Sequence, residues 1–303
     1  MTRPLLAFGS WAFSFGPFAD RPWPFDRLCG FAAEAGYDGV EINGFRPHPH
    51  HRDYESAAAI TALQDLLHDA GVRPVAYAPD FHAVPPGEVD AEEYLAEIDS
   101  ARRFCERMGI GLLRVDTVSP PAVLPRDAHK RRFEHLVETW RAAARLCSGS
   151  GITIVWEFEP GFWLNRPSDV RRLVEAVGEP AFRILFDSSH AYTGAVAGAR
   201  QGPEPELLAG GEVEYARLLR PFVGHLHLID SDGSLHDDET SAHLAFGAGN
   251  VRFAELLRAL EPTLDTLEWW GIDFCFNSET EAEAPKAVPF VRELARTVRE
   301  ASV

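Results

Sequence analysis

Cysteine is scarce in this chain, with four residues at positions 29, 105, 147 and 275 and no CxxC pair among them. That spacing gives no disulfide framework, and buried free thiols in a reducing cytoplasm are the expectation. Long apolar runs are also missing. No stretch reaches the ~18 uninterrupted apolar residues of a membrane-spanning helix. The N-terminal MTRPLLAFGSWAF has one Arg and a short apolar run broken by Gly and Ser, which is not the pattern of a signal peptide. Positive charge is in deficit: the net charge is -17, which argues against a nucleic-acid surface or an anionic membrane as partner. No short repeat, low-complexity segment or interdomain linker appears, and a single domain over 1-303 is expected.

What the chain has is an alternation of strands with amphipathic helices, the pattern of βα units on a parallel sheet. Strands are predicted at Leu5–Phe13, Gly39–Ile42, Arg73–Pro79, Leu112–Asp116, Ile152–Pro160, Phe182–Asp187, His225–Asp230 and Trp269–Phe276. Helices are predicted between them, several stopped by a glycine: Phe25–Ala35, Tyr54–Ala70, Asp90 to Met108, Arg126–Cys147, a fifth capped by Ser168 and ending at Gly178, a sixth after the loop Gly194–Pro205, then Arg252–Leu260 and Pro285–Ala301. Eight such units predict an α/β fold, the (β/α)8 TIM barrel. The structural rival is a doubly wound open sheet, which the missing GxGxxG after the first strand disfavours.

The fifth strand, ITIVWEFEP, carries the chemistry. Side chains alternate along a strand, so Glu157 and Glu159 share one face with Val155, while Ile154, Trp156 and Phe158 take the other. A carboxylate at the end of an apolar strand is costly unless it is paired or binds a metal. Three later strands repeat the arrangement, ending near Asp187 and His190, His225 and His227, and Asp273. Glu157, Asp187, His227 and Asp273 form a set of three oxygens and one imidazole nitrogen at the C-terminal ends of neighbouring strands, where barrel active sites lie. Hard oxygens with one imidazole suit Mn2+ best; Mg2+, Co2+ or Zn2+ also fit, as does Fe2+. Unrelated helix caps and surface ion pairs are the alternative. His190 is a candidate for catalysis or substrate contact, and Glu159, His82, His243 and Trp11 are candidates for substrate binding, with Asp116 beside them. His225, one layer deeper than His227, is expected to be a hydrogen-bonded core histidine. The PHPHH run at 47–51 is read as a solvated or substrate-lining loop. Trp11, Phe13, Phe15, Phe18, Trp23, Phe162 and Trp163 are read as an aromatic entrance or as simple packing.

Several motifs give the whole chain a family resemblance: AGYDGVEI at 35–42, WEFEP at 156–160, LFDSSH at 185–190, GHLHLID at 224–230 and HLAFGAGNV at 243–251. Together they resemble the xylose-isomerase-like TIM barrel family, the sugar phosphate isomerase/epimerase superfamily that also includes endonuclease IV. The resemblance implies one divalent metal held by Glu157, Asp187, His227 and Asp273. The last departs from the family pattern, in which a Glu follows the eighth strand. It further implies an isomerase or epimerase acting on a ketose, keto-inositol or related sugar through an enediolate, with Glu157, Asp273 and His190 as the catalytic candidates. The alternatives are a metal-dependent lyase on oxo-sugars (a keto-inositol dehydratase, or the catalytic subunit of a 3-oxo C-glycoside deglycosidase), an endonuclease IV-like phosphodiesterase, and a non-catalytic subunit. The fourth strand lacks the histidine that the phosphodiesterase branch has. The expected partner is a small sugar or polyol, with a homo-oligomer or a heteromer with a small subunit as assembly.

Overall fold

The computed structural model describes residues 4–300. Ala301, the predicted end of the last helix, and the first three residues of the N-terminal segment lie outside the described residues. In chain order the regular elements are β1 (Leu5–Gly9), α1 (Phe25–Ala35), β2 (Gly39–Gly44), α2 (Ala57–Ala70), β3 (Arg73–Pro79), α3 (Ala91–Met108), β4 (Leu112–Val115), α4 (Arg126–Ser148), β5 (Thr153–Glu157), α5 (Pro167–Val177), β6 (Phe182–Asp187), α6 (Ser188–Tyr192), α7 (Gly211–Leu219), β7 (Val223–Leu228), β8 (Leu235–His236), β9 (Thr240–Ser241), α8 (Phe253–Leu260), β10 (Trp269–Ile272) and α9 (Thr280–Glu300). Eight parallel strands close into a barrel in the order β1-β10-β7-β6-β5-β4-β3-β2, as the alternation of strand and helix predicts. The remaining two, β8 and β9, form a small antiparallel hairpin.

Strands covered on both faces bury nearly every residue, and the polar ones among them need partners. The segment GVEING of β2 is buried at every position, and β6 and β7 each expose little. Helices need only one apolar stripe. In α5 the buried residues Val170, Leu173, Val174 and Val177 follow the helical period, while Arg171 and Arg172 face out. One continuous hydrophobic cluster joins these helices to the barrel wall. No helix among the described residues is long and apolar enough to cross a membrane.

Several predicted boundaries move, each for a local reason. The first strand stops at Gly9, and Ser10–Phe13 turn into a short 3-10 helix instead of continuing to Phe13. The fourth, fifth and eighth strands stop at Val115, Glu157 and Ile272, and the polar residues beyond them leave the ladder for other partners: Asp116 accepts from the Val118 amide, Glu159 meets Arg114 and Thr240, and Asp273 meets Trp11 and the Cys275 amide. The seventh begins earlier, at Val223, and ends at Leu228. Ser168 is not the cap of α5. It is the second helical residue, and both its amide and its hydroxyl donate to Glu206. The predicted sixth helix is preceded by another, α6, immediately after β6, followed by a π-helical turn at Thr193–Ala197. All four cysteines are free and buried, and Cys275 sits in a turn after β10, not in a strand.

Candidate functional site

The ends of β5, β6, β7 and β10 bring Glu157, Asp187, His227 and Asp273 together. One ligand-capable atom from each lies within 4.8 Å of the other three. A single dication with bonds of about 2.0–2.6 Å can span such a set. The four side chains are almost fully buried. Asp187 Oδ2 has no hydrogen-bond partner, although a buried carboxylate oxygen without one is costly. Three carboxylates and one imidazole with an orphaned oxygen among them fit a hard dication.

Asp187 does two jobs. It ends β6 and caps α6, its Oδ1 accepting from the His190 amide at 2.8 Å. Aspartate is well suited to that cap, since its short side chain reaches the third helical amide. The cap directs Oδ1 to the helix and leaves Oδ2 for the site. It also places His190, whose Nδ1 lies 2.9 Å from Ser241 Oγ and whose Nε2 lies 3.9 Å from Glu159 Oε2.

Asp273 is held from three sides. Trp11 Nε1 donates to its Oδ1 at 2.6 Å, the Cys275 amide donates to the same oxygen at 2.7 Å, and His243 Nδ1 lies 3.3 Å from it. Trp11 reaches this position because the chain turns after β1. A Cβ on Gly9 would fall 2.4 Å from the indole ring, so only glycine leaves the space.

Arg114, on β4, bridges the two glutamates. Its Nε lies 2.5 Å from Glu157 Oε2, and its guanidinium donates to Glu159 Oε1 at 2.8 Å. Burial alone would raise the Glu157 carboxyl, but Arg114 and His227 outweigh it and hold it down to about 2. Glu159 goes the other way. Burial pushes it up to about 8, with Glu157 and Asp116 adding to the rise against the pull of Arg114. Burial also lifts Asp187 to about 7, against the pull of His243. His190 is pushed down to about 3 by burial, whereas Asp273 overcomes burial at His243 and raises it to about 9.

Above these groups opens a cavity of about 460 Å³. Trp11, His82, Glu159, His190, His243 and Asp273 all line it, so every residue expected to bind substrate or act on it, apart from the deeper Glu157, borders one space. Asp116 borders it too. The roof is the segment between β7 and α8: Thr240 Oγ1 donates to Glu159 Oε2 at 2.8 Å, and β9 supplies Ser241 to His190. Asp230 anchors this segment by accepting from the amides of Ser231, Gly247, Gly249 and Val251.

Two expectations need correction. The PHPHH loop is neither solvated nor substrate-lining: His48, His50 and His51 are buried. His48 Nε2 lies 3.0 Å from the Trp23 carbonyl, and the Tyr77 hydroxyl meets both the His51 amide and its Nδ1. Of the seven aromatics read as an entrance, only Trp11, Phe15 and Phe162 line the cavity. Phe13 and Trp23 stack at 3.9 Å with Phe18 against them, and Trp163 packs under Arg132. Phe45 and Phe276 take their place at the mouth.

Two residues of the site carry no mark in a one-dimensional reading. Arg114 looks like an edge residue of a half-polar strand. Glu41 lies inside a quoted motif, GVEI, yet its partners are 184 and 186 residues away: its two oxygens lie 2.9 Å from His225 Nε2 and 3.0 Å from His227 Nε2. His225 is thus the hydrogen-bonded core histidine expected.

A model of the family described as xylose isomerase-like TIM barrel matches residues 29–294. Fructoselysine 3-epimerase of Escherichia coli O157:H7 is 23% identical over 249 residues, covering 78% of this chain and 80% of that protein. Among solved structures, a D-tagatose 3-epimerase-like protein superposes with a TM-score of 0.69 at 19% identity, over 99% of this chain and 100% of the other. A probable 3-DHS dehydratase of petrobactin synthesis from Bacillus anthracis gives a TM-score of 0.70 at 14% identity, over 95% and 98%. With the barrel closed and most of its length matched, the chain belongs to the xylose isomerase-like TIM barrel family.

Proposed function

We propose that this chain is a divalent-metal-dependent isomerase or epimerase of a ketose, keto-inositol or related sugar. The observation that carries the reading is the convergence of Glu157, Asp187, His227 and Asp273, with an orphaned Asp187 oxygen, beneath a cavity of sugar-binding size and character. The fructoselysine 3-epimerase likeness agrees with it. A dication bound there, Mn2+ by preference, would polarise a substrate carbonyl and stabilise the charge that develops on proton removal beside it. Arg114 keeps Glu157 and Glu159 side by side under the cavity, within reach of one substrate. Glu157 or Asp273 removes the proton, with His190 beside them, and Glu159 and His243 orient hydroxyls. The aromatic mouth shields the acidified carbon from bulk water. The four buried thiols suit a reducing cytoplasm.

A lyase is the second reading, and Asp273 favours it. Its Oδ1 is tied to Trp11 and to the Cys275 amide, which restrains it from serving as a second base. Elimination needs only one base. Purified protein should contain a divalent metal by elemental analysis, and a keto-sugar and oxo-glycoside panel followed by NMR in D2O decides the chemistry. Exchange of the proton beside the carbonyl is expected in either case, and loss of a leaving group marks the lyase. No exchange on any panel member with metal present, together with metal-free protein as isolated, would remove the proposal.

A further inference from the structure

Glu41 has no place in the chemistry so far, yet it is 1% exposed at the centre of the barrel. It belongs to β2, whereas its partners belong to β7, three positions round the barrel one way and five the other. The contact therefore crosses the lumen. Each carboxylate oxygen takes a different ring: Oε1 meets His225 Nε2 at 2.9 Å and Oε2 meets His227 Nε2 at 3.0 Å. The wall is cut away to allow it. Gly271 pairs with His227 across β10 and β7, and a Cβ there would fall 2.4 Å from Glu41 Oε1 and 2.5 Å from His227 Cδ2. With Nε2 engaged from below, the other nitrogen of His227 faces up. Its Nδ1 lies 3.0 Å from Glu157 Oε1 and 3.7 Å from Asp273 Oδ2.

We infer that Glu41 is a positioning residue: anchored by His225, it fixes the ring and tautomer of His227 so that Nδ1 is the atom offered to the metal. This rests on the metal reading above. A carboxylate on the far nitrogen of a ligating histidine sets which nitrogen carries the proton and raises the basicity of the one that binds. His225 adds what a lone carboxylate could not supply. By holding Oε1 it prevents Glu41 from turning away when a cation draws on His227.

Chelator-stripped full-length protein titrated with Mn2+ alone, followed by calorimetry, tests the inference. Glu41→Ala should bind about 10–100-fold more weakly than the native chain, and Glu41→Gln, which keeps one acceptor oxygen, should recover part of the loss. Equal affinity in native protein and Glu41→Ala would overturn the role of Glu41 and leave the metal site standing. A native chain that takes up no Mn2+ would overturn the metal reading itself and this inference with it. The tautomer is tested without any variant, by 15N NMR of histidine-labelled native protein loaded with Zn2+. The expected signature is a ligated Nδ1 and a protonated Nε2 on His227; ligation through Nε2 would refute the inference even if Glu41→Ala failed to fold.

Discussion

Asp187 divides its two oxygens between a helix cap and the candidate metal site, so its replacement separates binding from folding. Asp187→Ala should abolish Mn2+ uptake and turnover while leaving far-UV circular dichroism intact; full activity in that variant would reject the ligand assignment. Trp11 lines the cavity and supports Asp273 through one bond. Trp11→Phe keeps the ring but removes the 2.6 Å donor to Asp273, and Mn2+ affinity should fall about ten-fold, the value of one hydrogen bond to a charged group. A calorimetric titration equal to that of the native chain would show that Asp273 does not need it. At this scale the sequence was informative where chemistry and position coincide. Glu157, Asp187, His227 and Asp273 stand at or just past the ends of four apolar strands, and that shared position is what marks them. Glu41 and Arg114 were hidden because each lies within a strand and acquires meaning only from partners on other strands. The histidines at 48, 50 and 51 misled for a related reason: polar residues in a proline-rich loop look solvated until their partners, such as the Trp23 carbonyl and the Tyr77 hydroxyl, are seen.

At the scale of elements, the segment from Ser231 to Gly249 is the part least like its prediction. It reads as a polar loop, but it folds back as a hairpin pinned by Asp230, whose carboxylate replaces water for four amides. A short β8–β9 pair has no apolar period to betray it. Asp230→Ala would leave those amides unpaired and should cost about 2–3 kcal/mol of stability, with faster hydrogen exchange concentrated in residues 231–249. Exchange unchanged there would mean that the hairpin holds itself. Elsewhere the predicted elements match closely: β3 and β6 coincide with Arg73–Pro79 and Phe182–Asp187, and α1 with Phe25–Ala35. Those segments end on a glycine, a proline or an acidic cap that local physics reads directly. Strand ends at the mouth were overextended, since an apolar residue beyond the last ladder bond looks like one within it.

For the whole molecule, the barrel closes as the count of βα units requires, and the site lies where four of those units converge. Concentrating like charge there has a thermodynamic signature. A ligand that binds only the folded chain stabilises it by about 2.7 kcal/mol at a hundred-fold excess over its dissociation constant. The metal-loaded protein should therefore melt several degrees above the chelator-treated one, as thermal unfolding with and without EDTA would register. Equal melting temperatures would imply that the carboxylates are balanced by Arg114 and His243 without any ion.

The cavity has a floor and a roof of different origin. The floor groups are delivered by separate strands locked into one cylinder, and shifting any of them disturbs the rest. The roof comes from one contiguous stretch of chain, clipped at both ends by a single aspartate. Exchanging the stretch between residues 231 and 249 would therefore reshape the cavity and, in the same step, take Thr240 from Glu159, Ser241 from His190 and His243 from Asp273, so the roof is replaceable as a unit only if those three contacts travel with it.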